Sequence, residues 1–302
     1  MNFIKKWYIY QKERFPVIKF GAYIFTIVFA CFCFCNYKIH GILNDSKINY
    51  FVIIPMFIVA FLQFLMVRIV DEFKDYEEDS KYRPYRPVPR GIITLKELKV
   101  LFVICVLLQV GITLYFQPFA IIYLIFVWLF FLLMTKGFFI KDFLDKHILI
   151  EAILDEFLMP ILVLFLSRFI KFVNPLNSYY SYVKIKDILL LLITSYIVSC
   201  IVEIARKVRA KSGEEKGVKT YTAIYGITNA TLILFIFETL LTTCEIVILG
   251  KEYILIILLV YLLIGIMNFL FIVKKTKVLS KVVELIANVY IMFVYLSFIV
   301  LI

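Results

Sequence analysis

Three carboxylates spaced by four residues, Asp71, Asp75 and Asp79, form the densest chemistry in this 302-residue chain. On an α-helix each step of four advances by only ~40°, so the three line one face. Like charges at that spacing repel. A hard divalent cation that prefers oxygen ligands, such as Mg²⁺, would offset them. Just downstream, Lys81-Tyr-Arg83-Pro84-Tyr-Arg86-Pro87-Val-Pro89-Arg90-Gly91 spaces its arginines with turn-forming prolines. Guanidinium groups pair with phosphate oxygens through two parallel hydrogen bonds. Acidic ligands for Mg²⁺ followed by arginines describe a site for a diphosphate. Two plainer readings compete: a solvated helix beside a membrane, and arginines placed there by membrane topology alone.

The elements that position these groups are hydrophobic. The chain is 63% hydrophobic and 18% charged, with a mean hydropathy of +0.96. That leaves too little polar surface for a soluble domain of this length and points to a membrane protein. A helical span needs ~20 mostly apolar residues. Uncharged runs at 20–37, 48–67, 253–273 and 285–302 meet that need. The uncharged run 100–135 is too long for one crossing and carries Gln117-Pro118 in its middle, so it reads as a helical hairpin. The first apolar run is too long for a signal-peptide core and should remain as a span. The expected spans are 17–37, 48–71, 96–115, 118–134, 148–170, 184–206, 222–248, 253–273 and 283–302. This is an all-α, polytopic bundle of about nine transmembrane helices. The amino-terminal segment and the connections after even-numbered spans, helix ends included, carry 25 of the 33 Lys and Arg, against 7 after odd-numbered spans. The positive-inside rule then puts the amino terminus and the acidic motif on the cytoplasmic side, at the plasma membrane if the source is bacterial. The +11 net charge is what topology and anionic headgroups select, and no nucleic-acid partner is indicated. All six cysteines fall in predicted spans. Cys31, Cys33 and Cys35 point ~200° apart at each step of two and cannot converge on one ion, so packing is their expected role.

Asp71-Glu72-x-x-Asp75-x-x-x-Asp79, followed by Arg86-Pro87 and Arg90-Gly91-Ile92-Ile93, resembles the first aspartate-rich motif of the UbiA superfamily of membrane prenyltransferases. That motif usually reads Asn-Asp-x-x-Asp-x-x-x-Asp and then Arg-Pro and Gly-Ile; here Asp71 takes the asparagine's place and keeps an oxygen ligand. The resemblance implies nine helices in one domain over 1–302, around a central cavity open at the cytoplasmic side, with Mg²⁺-diphosphate bound where the second helix exits. The family repeats an acidic motif at the exit of the sixth helix, usually Asp-x-x-x-Asp with a following Gly-x-x-Thr. Here Glu203 stands for the first aspartate, Lys207 occupies the place four later, and Gly217 and Thr220 fit the rest. Protonated lysine binds phosphate, not Mg²⁺, so this second site is altered; Glu214 and Glu215 are candidates to swing in. Arg14 and Lys136 match positions where the family contacts diphosphate, although a basic residue at a helix end is also explained by topology or snorkelling. Glu151, Asp155 and Glu156 lie near the start of the fifth span, where carboxylates are costly and usually functional or paired. They are candidates for binding the acceptor, for serving as base, or for a structural ion pair.

The reading implied is an enzyme. Asp71, Asp75, Asp79 and Glu203 would hold Mg²⁺ on a polyprenyl diphosphate, while Arg14, Arg83, Arg86, Lys136 and Lys207 would neutralise the leaving group. An acceptor within the bilayer captures the prenyl group, and the sequence does not identify it. The alternative is a non-catalytic membrane carrier or binder of an isoprenoid or lipid diphosphate.

Overall fold

The computed structural model describes residues 2–40, 48–171, 183–215 and 218–300. Among them, thirteen α-helices run α1 (Phe3–Arg14), α2 (Val17–His40), α3 (Ile53–Lys74), α4 (Tyr76–Tyr82), α5 (Leu95–Phe116), α6 (Ile121–Thr135), α7 (Lys141–Leu144), α8 (Ile148–Asp155), α9 (Leu158–Lys171), α10 (Ile185–Arg206), α11 (Tyr221–Leu249), α12 (Ile254–Lys274) and α13 (Lys277–Val300). No strand occurs among the described residues. Eight helical stretches there are long and apolar enough to cross a membrane, each matching one of the expected spans.

The ninth expected span, 148–170, is not one helix. It breaks at Glu156–Phe157 into α8 and α9. Pro160 explains the break: it has no N–H to give the Glu156 carbonyl, and its ring crowds that oxygen. The freed carbonyl instead accepts from the Met159 N–H at 3.1 Å and the Ser199 Oγ at 3.4 Å. The expected hairpin is present. Gln117, held out of helical geometry at φ −150°, ψ 74° as a residue before proline tends to be, separates α5 from the turn that opens at Pro118. A capping box between Thr94 and Glu97 starts α5.

The long helices form a ring. α2 packs on α3, α3 on α5, α5 on α6 and α6 on α9; α9 continues to α10, α11, α12 and α13, which returns to α2. Contacts of α2 with α9 and of α10 with α13 fill the interior, where Phe32, Phe34, Phe165, Phe169 and Phe298 are fully buried. Five of the six cysteines are buried, Cys244 is partly so, and all are free, which is the packing role expected of them.

One element was not foreseen. Residues 3–14 form α1, whose Trp7 and Tyr10 pack on Ile69, Val88, Ile93 and Leu98. Burial first, and the charge of Glu72 second, push the Tyr10 hydroxyl above its ordinary range. Salt bridges Lys6–Glu97 and Glu13–Arg90 strap the helix down.

Candidate active site

The acidic motif sits where α3 gives way to α4. Asp75 caps the junction at φ −94°, ψ 1°, a departure from helical geometry. The three aspartates still follow one another at single helical turns, the Asp75 N–H donating to the Asp71 carbonyl at 2.9 Å and the Asp79 N–H to the Asp75 carbonyl at 2.8 Å, but their carboxylates meet different partners. Asp71 and Asp75 stay together within electrostatic reach of each other, whereas Asp79 is buried among cations. Its carboxylate accepts from Arg83 at 2.8 Å and from Arg86, with an Arg14 nitrogen 3.8 Å away. Arg83 also faces Glu78 at 3.7 Å. The reason is local and electrostatic: Arg83 lies four residues beyond Asp79 on the helical path, and an ionised carboxylate is buried only with such partners.

Glu72, given no role from sequence, is the other buried acid here. It is 2% exposed and accepts from Arg14 Nε at 2.5 Å and from Arg68 at 3.4 Å. Arg14 thus clamps the end of α1 to both Glu72 and Asp79. Arg68 also pairs with Asp71 at 3.5 Å. The Asp75 side chain makes no ion pair or hydrogen bond among the described residues.

The second motif comes up beside the first. Glu203, near the end of α10, pairs with Arg206 and with Lys207 Nζ at 2.6 Å. Lys207 also stands 5.8 Å over the ring of Tyr221. Arg206 lies within electrostatic reach of Asp71 and Glu156 as well as Glu203, so the exits of α3 and α10 share one charged mouth. α8 closes its third side: Lys74 Nζ is 3.5 Å from Glu151, and Asp155 faces Lys74, Glu203 and Asp71. Glu214 and Glu215 do not swing in. Thr220 and Thr222 donate to Glu214 at 2.7 Å, and Arg209 holds Glu215 at 3.3 Å. Thr220 also caps α11 by accepting from the Ala223 N–H, while Gly217 lies outside the described residues. Beyond it, Gly226 at φ +79°, ψ 161° kinks α11 in a conformation that needs glycine. Lys136 sits exposed on the turn after α6 and makes no ion pair among the described residues; the structure does not bring it to the acids.

No group of three or more His, Cys, Asp or Glu among the described residues is arranged to hold a metal ion. Asp71 and Asp75 nevertheless have the right chemistry for Mg²⁺, which typically takes one or two carboxylates and completes its shell with water and substrate phosphates. The Asp71 side chain is 39% exposed and Asp75 makes no ion pair among the described residues. Asp79 and Glu203 are instead committed to arginine and lysine.

The fold and this site define a polytopic helical membrane protein with two charged motifs converging at one mouth. The sequence profile of the UbiA prenyltransferase family matches residues 41–296, and the chain belongs to that family. Its fold is similar to a solved structure of digeranylgeranylglyceryl phosphate synthase (TM-score 0.66, 19% identity, 98% of each chain covered). It is also similar to the apo structure of a UbiA homolog from Aeropyrum pernix K1 (TM-score 0.59, 14% identity, 89% of this chain and 96% of that one). A search of curated proteins finds no match.

Proposed function

We propose that this protein transfers a prenyl group from a polyprenyl diphosphate to an acceptor held within the bilayer. The observation that supports the reading is the meeting of the α3 and α10 exits, where Asp71, with Asp75 beside it, lies within electrostatic reach of Arg206. Asp71 and Asp75 would hold Mg²⁺, whose bound charge neutralises diphosphate oxygens. Asp79 does not ligate the metal in this reading. It positions Arg14, Arg83 and Arg86 as a cationic wall, and Glu203 does the same for Lys207 and Arg206. Those cations stabilise the charge that collects on the departing diphosphate. The prenyl tail lies among aromatic side chains away from water. Residues 1–302 act as one domain, and the excess of basic residues on the motif side puts the mouth and the amino terminus in the cytoplasm.

The test is to incubate purified protein with Mg²⁺ and a polyprenyl diphosphate and to follow both diphosphate and prenylated product. Turnover that disappears in Asp75→Asn supports the enzyme. Tight binding without release would favour the carrier instead.

A further inference from the structure

Glu156 stands apart from the groups used above. It occupies the turn between α8 and α9 that Pro160 forces open, about five residues and ~7.5 Å along the helical path from Glu151 at the mouth. The turn is pinned to α10: Tyr196 Oη donates to the Ile153 carbonyl at 2.9 Å, Phe157 packs on the Tyr196 ring at 4.5 Å, and Ser199 Oγ donates to the Glu156 carbonyl. Its carboxylate makes no salt bridge among the described residues, and Asp155, Glu203 and Arg206 lie within electrostatic reach. Tyr23 of α2 faces the same charge. A carboxylate so placed in a membrane protein marks a functional site.

A second observation points to a missing ligand. Tyr221 is 0% exposed, yet its hydroxyl has no hydrogen-bond partner among the described residues. It lies in the same neighbourhood, facing Glu203, Arg206 and Glu156. A buried hydroxyl left unpaired is costly, and a polar group on a bound molecule would satisfy it.

Resting on the prenyl-transfer reading, we infer that Glu156 is the general base for an uncharged, hydroxyl-bearing acceptor whose polar end hydrogen-bonds Tyr221. The allylic C–O bond breaks and its electron pair leaves on the diphosphate. The acceptor's hydroxyl oxygen forms the new bond to that carbon, and its proton passes to the Glu156 carboxylate, then to solvent at the mouth before the next turnover. The local charge sets the acceptor class. Around Glu156 the cations Lys74, Arg206 and Lys207 are each already paired, to Glu151 or to Glu203, while Asp155 and Glu156 make no ion pair among the described residues, so an acceptor carrying its own carboxylate meets net negative charge and is repelled.

The experiment uses the full-length protein in lipid nanodiscs with Mg²⁺ and geranylgeranyl diphosphate. Three acceptors are compared: 1-monooleoylglycerol, and the matched phenols 4-hydroxybenzyl alcohol and 4-hydroxybenzoate. At least one neutral hydroxyl compound should be prenylated about 10-fold faster than 4-hydroxybenzoate. Glu156→Gln should lower transfer by about 100-fold, within the range for losing a general base, while slow release of diphosphate to water persists. Tyr221→Phe removes a hydroxyl that has no hydrogen-bond partner among the described residues, so it should melt like the parent, yet raise the acceptor KM about 10-fold, the scale of one lost hydrogen bond. The inference is overturned by unimpaired transfer in Glu156→Gln, by an unchanged acceptor KM in Tyr221→Phe, or by a carboxylated acceptor used as well as the neutral ones. It is overturned too if the parent releases diphosphate but prenylates neither neutral probe. Failure of the parent to release diphosphate at all would instead remove the prenyl-transfer reading, and this inference with it.

Discussion

Asp75 and Asp79 look equivalent in the motif, but their surroundings predict opposite behaviour on neutralisation. Asp79 has a side chain 2% exposed and in contact with Arg83 and Arg86, with Arg14 nearby. Replacing it with asparagine removes the nearest counter-charge of Arg83, whose side chain is 10% exposed, leaving it only Glu78 at 3.7 Å, and leaves Arg14, 8% exposed, to Glu72 alone among the described residues. Removing one partner of a buried ion pair typically costs about 3–5 kcal/mol. At roughly 2–4 °C per kcal/mol for a chain of this general size, Asp79→Asn should melt at least about 6 °C lower, with or without Mg²⁺. Asp75 has no such partner among the described residues and is repelled by Asp71. Asp75→Asn should therefore melt within about 2 °C of the parent in metal-free buffer, while losing the stabilisation that Mg²⁺ and diphosphate together confer. Thermal unfolding of the detergent-solubilised protein, in EDTA and in Mg²⁺ with inorganic diphosphate, reads both effects. Equal melting of the two variants in EDTA would refute the division between a metal-side pair and an arginine-holding acid.

Arg14→Met should also destabilise the protein, by about 3 kcal/mol, because Glu72 is buried and, among the described residues, has only Arg68 at 3.4 Å as a second cation partner; urea or thermal unfolding reports it. Gly226→Ala forces a side chain into backbone geometry nearly reserved for glycine, at a cost of about 1–3 kcal/mol, visible as a lower melting temperature. Cysteines introduced singly at the exposed Lys146 and Glu252 should react with a membrane-impermeant maleimide from opposite sides of sealed vesicles. Labelling of both from one side would contradict the topology drawn from the basic residues.

Hydropathy made eight helices readable because a membrane span is defined by length and apolarity, both of which are sequence properties. The ninth stretch is helical where expected, over 148–155 and 158–171, but composition does not reveal that it is divided: Pro160 deletes one hydrogen bond, and that backbone effect decides the break at 156–157. The first helix escaped notice because Phe3–Arg14 mixes aromatic and basic residues without a clean apolar stripe; its docking through Trp7, Tyr10 and Arg14 is a tertiary effect. At the site, the four-residue spacing of the aspartates located the motif but not its division of labour. The same spacing runs from Asp79 to Arg83, a signal that was present and that favours an ion pair. Glu72 shows the limit most plainly, since its burial depends on Arg14, 58 residues away in sequence. The convergence of Glu203, Arg206 and Glu156 with Asp71 depends on α10 packing against α8 and α9, which no local pattern encodes.

The most direct measurement is single-turnover release of diphosphate from a radiolabelled polyprenyl diphosphate by the purified protein, with the metal supplied or withheld. The account predicts Mg²⁺-dependent release, lost in EDTA and reduced at least about 100-fold in Asp75→Asn. Release that ignores both the metal and Asp75, or stable retention of intact substrate, would contradict it.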